Sequence, residues 1–186
     1  EQMLGPAALI HEKRAAFSEQ FIPIFQEFYG IISNEQEQVD YTYRSHLNEQ
    51  DYAALLKENR EKDIILQRST TGIHKDDLIF KIEKFPLKKY ASQGQMKSFI
   101  LALKLAQYEL LRREKDCAPL LLLDDIFDKL DKQRVKQLLQ LLFDKEFGQI
   151  FFTDTHENRL VDILAQFDTE FKQFIVNFGE VVDSGQ

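Results

Sequence analysis

Two adjacent carboxylates, Asp124 and Asp125, close the apolar run "PLLLLDD". At the end of a buried strand such a pair repels itself and pays desolvation unless a cation, a donor or a proton relieves it. A divalent metal carrying a phosphate does so: one carboxylate holds Mg²⁺, directly or through water, while its neighbour polarises an attacking water. The plainer alternative is that Asp124 ends the strand and Asp125 caps the next turn. A second polar cluster, Thr153, Asp154, Thr155 and His156, ends "QIFFTDTH". A third, Ser92-Gln93-Gly94-Gln95, opens a long helix-patterned segment. Free N–H groups and the helix dipole attract an anion there, and Gly94 has no Cβ to keep a phosphate away. The hydroxyl of Ser92 can cap the helix or donate to a phosphate oxygen. Taken alone, Ser92 with Gln95 three residues on reads more simply as a capping box.

Other segments must position these residues. Phe17, Phe21, Ile24, Phe25 and Phe28 recur at helical spacing, with Pro23 expected to bend that helix and Gly30 to stop it. "QVDYTYRS" alternates as a half-buried strand, and Asn48 with Asp51 marks the start of a polar helix over "EQDYAALLKENREKD". A loop of small and charged residues, "RSTTGIHKDD", precedes "LIFKIEK", a strand with Leu78, Phe80 and Ile82 on one face. Past the SQGQ helix, "PLLLLDD" has the continuous apolar pattern of a strand buried on both faces of a parallel sheet. "DKQRVKQLLQLLFDKEF" is an amphipathic helix, "GQIFFTD" a second buried strand, "ENRLVDILAQF" a helix and "KQFIVNF" a last strand. This alternation predicts an α/β fold, a doubly wound parallel sheet with helices on both faces. Ligands collect beyond the carboxyl ends of such strands, where both acidic clusters stand.

At 44% hydrophobic, with 16 Phe and no Trp, the chain of 186 residues can bury a core. Its formal net charge of −7 excludes a uniformly basic DNA-coating protein and leaves room only for a local basic patch. Cys117 stands alone and forms no internal disulfide, as suits a reducing cytoplasm. No apolar run approaches a membrane span, and no signal-peptide pattern is present.

Together the three clusters resemble the ATP-binding heads of the ABC/SMC superfamily. The Ser92-Gln93-Gly94-Gln95 run is similar to the signature motif, "LLLLDD" to Walker B with its catalytic carboxylate, and "DKLD" (Asp128 to Asp131) to the D-loop. Within the superfamily, "TTGIHKDDL", "ASQGQMKSFILALKLAQYELL" and "PLLLLDDIFDKLD" resemble the RecF family. Ile73 stands where that family has proline, Lys75 and Lys97 where it has arginine, and Met96 where it has glutamine. The resemblance covers nearly the whole chain, most tightly from Thr70 to Asp131. It implies a helical arm over residues 1–67 and the C-terminal part of an ATPase head over 68–186.

The resemblance also implies roles. Ser92 and the Gly94 backbone would contact the γ-phosphate of an ATP held by a partner subunit, so the protein would be an ATP-dependent homodimer. Asp124 would serve Mg²⁺, Asp125 would orient the attacking water, and Asp128 and Asp131 would lie along the dimer seam. The switch position aligns with Asp154, with His156 two residues on; a solvent-facing His156 capping the next helix is the alternative. DNA, at gaps or single-/double-strand junctions, would meet His74, Lys75, Lys84, Lys88 and Lys89, for which a solvated loop is the plainer reading. The family acts in the bacterial cytoplasm with RecO and RecR, helping to load RecA in recombinational repair.

Three other readings remain open. Another SMC-type head would need a long heptad run before the signature, and "RSTTGIHKDD" has none. A receiver-type phosphoacceptor would need a lysine after the last strand, and "FIVNFGEVV" offers none. A non-enzymatic interaction module would use the acidic helices. None of the seven glycines gives the P-loop spacing G-x-x-x-x-G-K-[ST]. The chain, which begins at Glu1, is therefore expected to be a C-terminal half without Walker A. Titration calorimetry of this chain with ATP should give no micromolar binding and no hydrolysis; a micromolar Kd would overturn that expectation.

Overall fold

The helical spacing of Phe21, Ile24, Phe25 and Phe28 builds α1 (Leu4–Ser33), all four side chains being buried. The computed structural model describes residues 2–183 except 116, 129, 146, 157, 158 and 168. Gly30 does not stop α1, as the sequence suggests; the helix runs through Pro23 and Gly30 and ends at a left-handed cap, Asn34. The Glu35 carboxylate folds back over the helix end, where a Cβ at position 30 would come within 2.7 Å of it and displace this flexible, exposed side chain.

After α1 come β1 (Val39–Arg44), α2 (Tyr52–Glu58) and α3 (Arg60–Leu66). The single polar helix expected here is two, meeting at Asn59. Its N-cap is Asp51, whose carboxylate accepts from the Ala53 and Ala54 N–H groups at 3.0 and 3.2 Å. The chain then forms β2 (Asp77–Ile82), β3 (Phe85–Pro86), the short α4 (Leu87–Tyr90) and the long α5 (Gln93–Lys115). β1, β2 and β3 make an antiparallel sheet in which Tyr41 lies opposite Phe80, the two rings stacked at 5.0 Å. Phe99, on α5, meets Phe25 at 4.9 Å, Phe80 at 5.0 Å and Tyr29 at 6.2 Å. Burying one such ring contributes about 1.5–3 kcal/mol, so Phe99 fastens α5 to both α1 and the sheet.

The loop "RSTTGIHKDD" is tied to α1 rather than loose. The buried carboxylate of Asp76 accepts from Arg14 and from the Tyr43 hydroxyl, both at 2.6 Å, and Arg14 also donates to the Ile73 carbonyl at 2.8 Å. Burial alone would raise the Asp76 pKa; hydrogen bonds from Tyr43, Ser45 and Arg14 outweigh it and hold the carboxyl below its ordinary value. Gly72, at φ +122°, passes so close to Tyr52 that a Cβ would meet its hydroxyl at 2.7 Å. These ties and the β1–β2 ladder cross position 67/68. By contacts the chain divides into two compact units, Glu1–Cys117 and Ala118–Gln186.

The second unit contains β4 (Leu121–Leu123), α6 (Lys132–Asp144), β5 (Ile150–Phe152), α7 (Arg159–Leu164), β6 (Phe174–Asn177) and β7 (Glu180–Asp183). β4 and β5 are parallel, joined by the crossover through α6 as a βαβ unit requires. The doubly wound parallel sheet read from the sequence is not formed among the described residues. "KQFIVNF" does not extend the β4–β5 pair; its β6 turns back on β7 as an antiparallel hairpin. Phe178 and Gly179 between them both have positive φ, 49° and 85°, the geometry of a tight two-residue hairpin turn. Nor is β4 buried on both faces in this chain: Leu121 and Leu123 are buried, while Leu122 is 69% exposed. Among the described residues no helix is long and apolar enough to cross a membrane.

Candidate functional site

The signature-like residues lie at the start of α5, in the first unit. Ser92 N–H donates to Gln95 Oε1 at 2.7 Å and Gln95 N–H donates to Ser92 Oγ at 3.2 Å, a complete capping box. Because Ser92 Oγ accepts in this exchange, its own hydrogen remains available to a ligand. Ser92 and Gln93 are exposed, Gly94 half-buried. Gln95 is held from its other end as well: its Nε2 donates to Glu37 Oε1 at 3.0 Å, and Glu37 Oε2 accepts from the Tyr29 hydroxyl at 2.5 Å. The helix start is thus pinned to the segment that leaves α1.

Just before it, Lys84, Lys88 and Lys89 are exposed. Glu83 and Lys84 take φ values of 48° and 71° in the tight turn between β2 and β3. The exposed rings of Phe85 and Tyr90 pack together at 5.0 Å among these lysines. His74 and Lys75 are exposed too, on the loop anchored by Asp76, and His74 Nε2 is hydrogen-bonded to the Ser69 carbonyl at 3.1 Å.

The acidic cluster lies in the second unit, at the carboxyl ends of the parallel pair. β4 delivers Asp124, exposed, and Asp125, half-buried and in the left-handed region at φ 48°. β5 delivers Thr153, whose backbone N–H continues the ladder to Leu123 O at 3.0 Å. The Thr153 hydroxyl donates to Asp124 Oδ1, and its oxygen accepts from the Asp125 N–H at 3.2 Å. One side chain therefore binds both acidic residues.

Asp154 points elsewhere. Its nearly buried carboxylate pairs in two-pronged fashion with Arg159, Nε lying 2.7 Å from Oδ2 and Nη2 contacting Oδ1. The backbone N–H of His156 adds a bond at 3.2 Å, while the His156 side chain is exposed. The Arg159 hydrogen bond is the main reason the Asp154 pKa falls below its ordinary value. Arg159 stacks over the Phe127 ring at 5.6 Å, and its charge is felt by Asp125 and Asp128. Asp128 is exposed. Asp131 caps α6, accepting from the Arg134 N–H at 2.9 Å.

Among the described residues no group of three or more His, Cys, Asp or Glu side chains could hold a metal by itself. The donor set suits Mg²⁺ all the same, since that ion keeps several waters and takes one or two carboxylates together with substrate phosphates. Asp124 offers one such oxygen. No spacing or motif in the sequence marks Arg159, Glu37 or Tyr29, or the two hydrogen bonds of the Thr153 hydroxyl. Only Thr153 carried a usable signal: a hydroxyl residue ending the strand next in order to "LLLLDD".

The Asp154–Arg159 pair predicts a pH dependence. A carboxyl whose pKa is depressed on folding adds stability that is present above its unfolded pKa and is lost as pH falls through the folded one. Asp154→Asn should therefore cost about 1–3 kcal/mol at neutral pH and flatten the acid side of the stability profile. Urea denaturation from neutral to acid pH tests this; an unchanged neutral stability contradicts it.

A scan of protein-family models gives no match. Individual relatives match strongly. The DNA replication and repair protein RecF of Bacteroides thetaiotaomicron is 47% identical over 186 residues, all of this chain and 50% of that protein. RecF of Flavobacterium johnsoniae is 47% identical over 174 residues, 94% of this chain and 48% of its own length. Among solved structures, the recombination mediator protein RecF-ATP of the RecFOR pathway superposes with a TM-score of 0.70 at 25% identity, covering 99% of this chain and 48% of that one. An SMC ATPase structure, described by ATP-driven dimerization and DNA-stimulated activation, gives a TM-score of 0.56 at 15% identity over 92% of this chain and 89% of that one. That last likeness speaks for the fold alone. The chain spans about half the length of the curated relatives it matches, and along that stretch it matches the RecF proteins.

Proposed function

We propose that this chain is the C-terminal half of a RecF-type ATPase head and contributes two separate parts of a composite nucleotide site. The observation that carries the reading is the start of α5. Its capping box satisfies the local backbone and leaves the Ser92 hydroxyl hydrogen unspent on an exposed helix N-terminus. Ser92, with the Gly94 backbone, would donate to the γ-phosphate of an ATP seated on a second copy of the protein. Asp124 would hold Mg²⁺ or one of its waters, Asp125 would orient the attacking water, and Asp128 and Asp131 would line the dimer seam. Mg²⁺ supplies neutralisation of phosphate charge when bound. What the chain's own residues add is position and electrostatic complementarity, the main resources in phosphoryl transfer.

ATP then acts as the ligand that closes two heads, and hydrolysis reopens them. The RecF relatives are DNA replication and repair proteins, which supports a role in recombinational repair at gapped DNA, with RecO and RecR as partners in loading RecA. Lys84, Lys88 and Lys89, with the Phe85 and Tyr90 rings among them, form the most suitable phosphate-binding surface, with His74 and Lys75 as further contacts. Against a net charge of −7 that attraction is local and steeply salt-dependent. The proposed setting is the bacterial cytoplasm, and Asp154 or His156 would take the switch position.

Ser92→Arg in the full-length protein tests the signature role. Sedimentation with ATP should show the dimer lost, while ATP binding to the monomer stays within about threefold of wild type, because the lost contact is made only across the interface. Unchanged dimerisation contradicts the reading.

A further inference from the structure

The acidic pair at the end of β4 is held by a residue that neither the family motifs nor the sequence reading assign a role. Asp125 occupies the left-handed region at φ 48°, uncommon for a residue other than glycine though Asp tolerates it better than most. Thr153 braces it there: its Oγ1 accepts the Asp125 N–H at 3.2 Å. The same hydroxyl has a single hydrogen, and that hydrogen goes to Asp124 Oδ1. The position of the hydroxyl is itself set by the parallel ladder, through Thr153 N–H to Leu123 O at 3.0 Å. Asp124 Oδ2 has no hydrogen-bond partner among the described residues.

We propose that Thr153 is the positioning residue of this acidic pair. It turns Asp124 so that Oδ2 faces outward to a divalent cation or its water, and it locks the backbone of Asp125 so that its carboxylate is aimed rather than mobile. The proposal rests on the ATPase reading above and names the residue that prepares its metal-binding carboxylate. Both bonds come from one hydroxyl, so serine preserves both, whereas valine, of the same shape, preserves neither.

The test uses the full-length protein as wild type, Thr153→Ser, Thr153→Val and Thr153→Ala. Mn²⁺ binding in the presence of ATP is followed by electron paramagnetic resonance, and hydrolysis is measured alongside. Loss of a hydrogen bond behind a metal ligand typically weakens metal binding or activity about 10–100-fold, and that loss is expected for Val and Ala. The Ser variant should stay within about threefold of wild type on the same scale. Ala covers the case in which Val does not fold. Mn²⁺ affinity and hydrolysis equal to wild type in a folded hydroxyl-free variant overturn the proposal, as does a Ser variant as impaired as Val or Ala. A wild-type protein that neither binds Mn²⁺ with ATP nor hydrolyses it overturns the ATPase reading first, in an arm separate from the variants.

Discussion

One ring, Phe99, decides where the start of α5 is held. It lies about two turns into α5 from Ser92 and is enclosed by Phe25, Tyr29 and Phe80. Those contacts join the long first helix, the antiparallel sheet and the signature-like helix in one aromatic core. A helix start attracts an anion only while its N–H groups point consistently at the same place. The ring cluster fixes the helix axis, and the Gln95–Glu37–Tyr29 chain fixes its first turn. Between them, little freedom is left to the SQGQ residues.

The second unit solves a different electrostatic problem. Asp124 and Asp125 repel each other, and Asp128 adds a further negative charge nearby. Relief comes from two neighbours on different elements. The Thr153 hydroxyl donates to one carboxylate and steadies the other's backbone. Arg159, committed to Asp154, lends positive potential to Asp125 and Asp128 from its seat over Phe127. Its own charge is paired with Asp154.

What could be read from the sequence follows from how local each feature is. The capping box is legible because Ser92 and Gln95 are three residues apart and meet within one helical turn. The α6 helix and its two flanking strands are legible from apolar spacing, and the "LLLLDD" carboxylates from their place at a strand end. The Glu37–Gln95 bond joins residues 58 apart, and no periodicity encodes it. The sheet is not legible for a related reason: an apolar run resembles a buried parallel strand whether or not this chain supplies a neighbour for its second face. Leu122 shows the difference, since it belongs to such a run and is exposed. The turn in "NFGE" carries no Asn-Gly hairpin pair, and Phe178 adopts the left-handed turn conformation all the same.

If each site takes its signature from one subunit and its acidic pair from another, two differently damaged proteins should repair each other. The direct measurement is ATP hydrolysis by full-length Ser92→Arg and Asp125→Asn proteins, singly and mixed. Each alone should be inactive. An equimolar mixture should regain activity well above either component, because each mixed dimer holds one intact site. A mixture as inactive as its components would contradict the account.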